Sequence, residues 1–224
     1  MRNFSVMLPP GWVQFDLTQP VGGQVTVAAK EMLSKLPPPM RGELRRQIEP
    51  PLTEALANLA SGGAVAAYMS AEDPRTAAIF PIVVVRPADF AVEGEVMDPM
   101  DYLVALISTG EVALVDPVGM VGVKHMTDRD VSSSVRRALA QVQDDVLDSM
   151  EGLDRESFTE LREVARQIEY TIGVPETSDC WMVISAEVTA DARENAVEAL
   201  DAVTEFLDAW VGTIIWNEEG DENE

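Results

Sequence analysis

Four consecutive stretches decide the fold: ARQIEYTIGVP (165–175), CWMVISAEVT (180–189), ADARENAVEALDAVTEFLDAWV (190–211) and GTIIW (212–216). In the first, Ile168, Tyr170, Ile172 and Val174 alternate with Gln167, Glu169 and Thr171. A period of two predicts an antiparallel strand with one covered face. The second stretch is apolar on both faces for most of its length, which predicts a central strand. The third places Val197, Leu200, Val203, Leu207 and Trp210 at helical spacing, predicting a helix over 191–211. GTIIW is expected to close the sheet. Strand, strand, helix, strand implies an α/β domain of the α+β type: a central, mainly antiparallel sheet flanked by helices.

Working outward, Val6 and Leu8 alternate before Pro9-Pro10-Gly11, and Val13, Phe15 and Leu17 alternate after it, so residues 3–17 read as an extended pair. Val25, Ala28, Ala29, Met32, Leu33 and Leu36 fit one face of a helix over 24–36, ended by Pro37-Pro38-Pro39. A second helical stretch, 40–60, carries Leu44, Ile48, Leu52, Ala55, Leu56 and Leu59. The pair Pro50-Pro51 is expected to break or kink it, because proline lacks the amide donor and clashes with the preceding turn. Residues 64–70 and 77–86 read as strands, 99–108 as a short helix, and 111–115 with 118–126 as another strand pair. Val131, Val135, Leu139, Val142, Val146 and Met150 predict a helix over 130–150. The expected organisation is one domain over 1–216, with an appended helical segment at about 129–163 and an acidic, disordered tail over 217–224.

The 224 residues carry a net charge of −23, which disfavours nucleic acid and anionic membrane surfaces as partners. The charge is uneven: residues 1–70 hold six basic and five acidic groups, so the remaining 154 carry −24. The longest wholly apolar run, Ala77 to Val85, is far short of the roughly 20 residues of a membrane span. The first residues, MRNFSVMLPPGW, contain no apolar signal core, and a single Cys cannot form an internal disulfide. The expectation is a soluble cytoplasmic protein.

Leu8-Pro9-Pro10-Gly11-Trp12 at the front resembles the PsbP-like α/β/α sandwich proteins of actinobacteria, including the LpqN-type lipoproteins. So do Tyr170-Thr171-Ile172, Val183-Ile184-Ser185, Phe206-Leu207-Asp208-Ala209 and Thr213-Ile214-Ile215-Trp216 at the back. The resemblance covers both ends and leaves residues 40–60 and 129–163 unaccounted for. It implies a mainly antiparallel sheet with helices on both faces, and a non-enzymatic binding or assembly role. Unlike the lipoproteins, this chain shows no signal peptide and no lipobox Cys.

Catalytic chemistry has little to stand on. His125 is the sole histidine; with Asp128 and Asp130 nearby it imitates a base with an orienter, but a structural residue of a strand end is the reading preferred. Cys180 stands near Glu176 and Asp179, the wrong setting for a thiolate, and reads as a buried or edge structural cysteine. There is no G-x-S-x-G, P-loop or G-x-G-x-x-G pattern, and too few Cys and His for a zinc site. Asp144, Asp145, Asp148 and Glu151, and the carboxylates of the tail, do not follow the ligand pattern of a calcium loop. No cofactor and no metal are expected.

Two charge features remain. Glu194, Glu198, Asp201, Glu205 and Asp208 recur at four, three, four, three along the last helix, an acidic stripe opposite the apolar one. It is either a solvated face or a docking face for a basic partner. Arg41, Arg45 and Arg46 cluster on the second helical stretch, either pairing with local carboxylates or meeting the acidic helix of another copy. The expected function is a non-catalytic protein-interaction or assembly factor acting through its acidic surface. The alternative is a small-molecule binding protein with an apolar pocket between sheet and helices; an enzyme ranks last.

Overall fold

The computed structural model describes residues 4–34, 36–71, 82–92, 95–107, 112–115, 121–134, 163–177, 180–191 and 195–217. The elements are β1 (Phe4–Ser5), β2 (Trp12–Asp16), α1 (Val21–Met32), α2 (Pro38–Ser61), β3 (Ala66–Ser70), β4 (Ile82–Pro87), β5 (Ala91–Val92), β6 (Glu95–Val96), α3 (Pro99–Ile107), β7 (Val112–Val115), β8 (Gly122–Asp130), β9 (Glu163–Gly173), β10 (Trp181–Asp191), α4 (Ala196–Val211) and β11 (Ile215–Trp216). Seven strands form one sheet in the order β2-β3-β4-β10-β9-β8-β7, and every pair within it is antiparallel. Helices pack on both faces of this sheet, and the whole is an α+β fold.

The hairpin β9–β10 is the spine, with Ile172 opposite Met182, Tyr170 opposite Ile184 and Ile168 opposite Ala186. These side chains, with Tyr68, Val83 and Val85 from the neighbouring strands, face Leu200, Leu207, Trp210 and Val211 of α4. Burying each of the larger side chains contributes about 1.5–3 kcal/mol. Trp210 is 3% exposed and meets Tyr68 edge-on at 5.1 Å. Its indole N–H has no partner among the described residues, a cost of about 1–3 kcal/mol that burial of the ring offsets. On the opposite face, Phe15, Leu17, Ala67 and Val84 pack against Val21, Val25, Ala28 and Leu56 of α1 and α2.

Five expectations change. The helix through Pro50-Pro51 is continuous over 24 residues. The carbonyls deprived of partners are those of Arg46 and Gln47, and these residues and both prolines are exposed, so water satisfies the free oxygens. GTIIW does not close the main sheet: β11 pairs with β1, Phe4 opposite Trp216, in a two-stranded ladder of its own. For the same reason β1 and β2 do not pair; Gly11, at φ 77, redirects the chain between them. Val197 is 66% exposed, and Thr204 is buried instead. β8 continues to Asp130, four residues past the expected end, as an exposed polar extension beside β9.

The expected helix over 130–150 falls outside the described residues except for one turn at 132–134, where Asp130 accepts from the Ser132 amide and hydroxyl. The tail beyond Asn217 also lies outside them. Among the described residues no helix is long and apolar enough to cross a membrane.

Candidate interaction surface

α4 divides the predicted acidic stripe in two. At 3.6 residues per turn, positions seven apart fall within about 20° of each other, so Asp201 and Asp208 form one row and Glu198 and Glu205 another, about 60° further round. The first row borders the sheet and the second faces solvent. Glu194 lies outside the described residues.

The inner row meets a polar seam built on β8 and β9. Lys124 lies opposite Tyr170 and Asp128 opposite Arg166, all on the α4 side of the sheet because strand side chains alternate. Arg166 is 8% exposed. Its guanidinium donates in fork fashion to both Asp128 oxygens, at 2.8 and 2.9 Å, and to Asp201 at 2.6 Å. It also donates to the Thr204 hydroxyl at 3.3 Å, and that hydroxyl donates back to the Leu200 carbonyl at 2.7 Å. One turn further on, Asp208 accepts from the Tyr170 hydroxyl at 2.8 Å and from the Lys124 ammonium at 2.8 and 3.0 Å.

The electrostatics follow from these contacts. The hydrogen bonds from Arg166 hold the Asp128 carboxyl below its usual range. In return, chiefly the bond to Asp128 raises Arg166 further above its own. Burial raises the Tyr170 hydroxyl, and the hydrogen bond to Asp208 adds to the effect. A buried guanidinium needs such partners, since an unpaired charge there is costly. The seam is therefore a clamp between helix and sheet, its charges spent on one another.

The outer row differs. Glu198 and Glu205 are exposed and have no ion-pair or hydrogen-bond partner among the described residues. With Asn195, Val197, Asp201 and Ala202 they line a surface hollow of about 590 Å³. This face combines free carboxylates with an exposed aliphatic side chain.

The arginine cluster is largely occupied by local partners. Arg45 pairs with Glu49 and Arg46 with Glu43, each at 2.6 Å. Arg41 donates to the carbonyls of Leu36 and Ser34 at 2.6 and 2.7 Å, tying the end of α1 to the first turn of α2.

His125 stands on the face of β8 turned away from Asp128, so the imagined base and orienter are not assembled; its neighbour in register is Glu169 on β9. Asp128 is engaged with Arg166 and Asp130 with Ser132. Near Glu169, Arg86 donates to it at 3.4 Å, and Tyr102 of α3 has its hydroxyl pKa raised by burial first and by the Glu169 charge second. Cys180 is an exposed free thiol, not a buried one, because it precedes β10 in the connecting turn. Among the described residues no group of three or more His, Cys, Asp or Glu could hold a metal ion. The carboxylates at 144, 145, 148 and 151 lie outside them.

Comparison with protein-family models, with curated proteins and with solved structures finds no match for this chain.

Sequence reasoning missed Arg166, Lys124, Asp128 and Tyr170 as a set. A signal was present: Arg166 has the same parity as Ile168, Tyr170 and Ile172 on the covered face of β9. A cation on such a face demands acids from the element above it, and Asp201 and Asp208 are the acids of α4 spaced to reach it and its neighbour.

Proposed function

We propose that this chain is a non-catalytic interaction or assembly protein of the cytoplasm that docks a basic protein segment on the outer face of α4. One observation carries the reading. Of the acids on one helix, Asp201 and Asp208 are consumed by the fold, while Glu198 and Glu205 stay free beside exposed Val197. Glu198, in the first turn of α4, suits the positive end of the helix dipole, but Glu205 lies beyond that turn and has no ion-pair or hydrogen-bond partner among the described residues, so no such contact of the fold accounts for it. A lysine- or arginine-bearing segment would neutralise both carboxylates, and the field of a chain with net charge −23 would speed its approach.

Kinship with the PsbP-like sandwich belongs to the same proposal; an antiparallel sheet with helices on both faces supports it. The geometry favours docking over a ligand pocket between sheet and helix, because that space is filled by Leu200, Leu207, Trp210 and Ile214.

The test immobilises the full chain and captures partners from lysate at low salt, beside an E198K/E205K variant of unchanged circular dichroism. A basic protein held by the first, released by salt and absent from the second is the expected result. Equal capture by both sinks the reading. Light scattering at low and high salt checks the remaining role of the arginine cluster: a constant mass excludes contact between α4 of one copy and Arg41, Arg45 and Arg46 of another.

A further inference from the structure

The α1–α2 junction carries a feature of opposite sign to the rest of the molecule. Lys30, Leu33, Ser34, Arg41, Gly42 and Arg45 line a hollow of about 370 Å³. That volume lies within the ~300–1,000 Å³ typical of small-molecule sites. No carboxylate is among these residues. Lys30 is exposed and has no partner among the described residues. Arg41 is fixed in place by its two backbone carbonyls, through Nε and one terminal nitrogen, which leaves its other terminal nitrogen open. Arg45 spends Nε on Glu49 and keeps its terminal nitrogens. The walls between these heads are apolar: Leu33, the bare backbone of Gly42, and the aliphatic stems of the three cations.

The folding problem alone does not call for this arrangement. Gly42 sits inside α2, where glycine costs about 1 kcal/mol relative to alanine. A Cβ added there would meet nothing within 4 Å, so no steric contact demands glycine; what its absence of side chain does is leave the hollow open. Three cationic residues line that space, mostly through their aliphatic stems with their heads at its rim left to meet an anion, in a chain whose overall charge repels anions.

We propose that this hollow binds a small organic anion: an oxyanion head, carboxylate or phosphate, on a short apolar body. The head lies between Lys30 and the open nitrogens of Arg41 and Arg45, and the body lies over Leu33 and Gly42. Guanidinium forks suit both heads, and charge-assisted bonds of this kind are about twice as strong as neutral ones. The site is separate from α4 and stands or falls independently of the docking proposal.

The test is calorimetric titration of the full chain with octanoate, with inorganic phosphate, and with octanol as the neutral control. Octanoate binds and octanol does not; competition with phosphate then tells a carboxylate preference from a phosphate one. Two variants locate the site. K30E/R45E weakens octanoate by about tenfold or more. G42L fills the hollow and does the same, while its melting temperature holds or rises, since leucine is the better helix former. Arg41 is left intact because it ties the two helices together. Binding unchanged in both variants, equal binding of octanol, or no heat from either anion at millimolar concentration overturns the proposal.

Discussion

Asp201 and Glu205 sit one turn apart on the same helix, carry the same charge and are both exposed, yet the molecule uses them differently. Asp201 reaches Arg166 at 2.6 Å, and with Asp208 it fastens α4 to β8 and β9. Glu205, with Glu198, lines an open hollow and touches no cation among the described residues. The two rows teach that an acidic stripe is not one feature. About 60° of helical rotation separates a clamp from a free surface.

The clamp is the place to press hardest. Replacing Arg166 by Met strips Asp128 and Asp201 of their shared cation and leaves Thr204 without a partner above it. Urea unfolding is expected to show a loss of about 3 kcal/mol; the acids are partly exposed and recover water, which keeps the cost at the low end for a broken buried pair. A loss below about 0.5 kcal/mol means the fork is ornamental. Tyr170→Phe removes one hydroxyl from Asp208 while Lys124 stays, so about 1 kcal/mol is expected, read from the same unfolding curves.

Titration sharpens the same contrast. Tyr170 and Tyr68 both have raised pKa values, Tyr68 to about 12, chiefly through burial. The folded state then holds protons that the unfolded state releases from about pH 10 upward. The stability they contribute is intact below pH 10 and is lost as pH rises through the folded values. Alkaline melts should therefore drop steeply from about pH 10, and less steeply in Tyr170→Phe. Asp128 works in the opposite sense: its lowered pKa gives stability present above the ordinary carboxylate range and lost as pH falls through the folded value. Arg166→Met should flatten that acid limb. On the outer row, E198Q/E205Q should leave stability within about 0.5 kcal/mol.

Much of this architecture was legible in residue patterns. The alternation of Ile168, Tyr170, Ile172 and Val174 placed β9 correctly, and Val25, Ala28, Ala29, Met32, Leu33 and Leu36 are all buried as their spacing implies. Pairing partners were less legible. The alternation of a strand says which face is covered and not which neighbour it joins, so the departure of β11 to β1 could not be read from GTIIW. Pro50-Pro51 does not break the helix, and periodicity could not say so: both prolines stand on an exposed stretch of α2, where the freed carbonyls are open to water. The split of the acidic stripe was hidden for a different reason. The partners of its inner row, Arg166 and Lys124, lie 35 and 84 residues from the acids they hold. Periodicity along one helix carries no record of contacts at such separations.

The most direct test of the two-row account compares the urea unfolding free energies of D201N/D208N and E198Q/E205Q. Each variant removes two charges from the same helix with little change of shape. The account predicts a loss of about 1–2 kcal/mol for the first pair and less than about 0.5 kcal/mol for the second. Equal losses, or a larger loss for the glutamates, would contradict it.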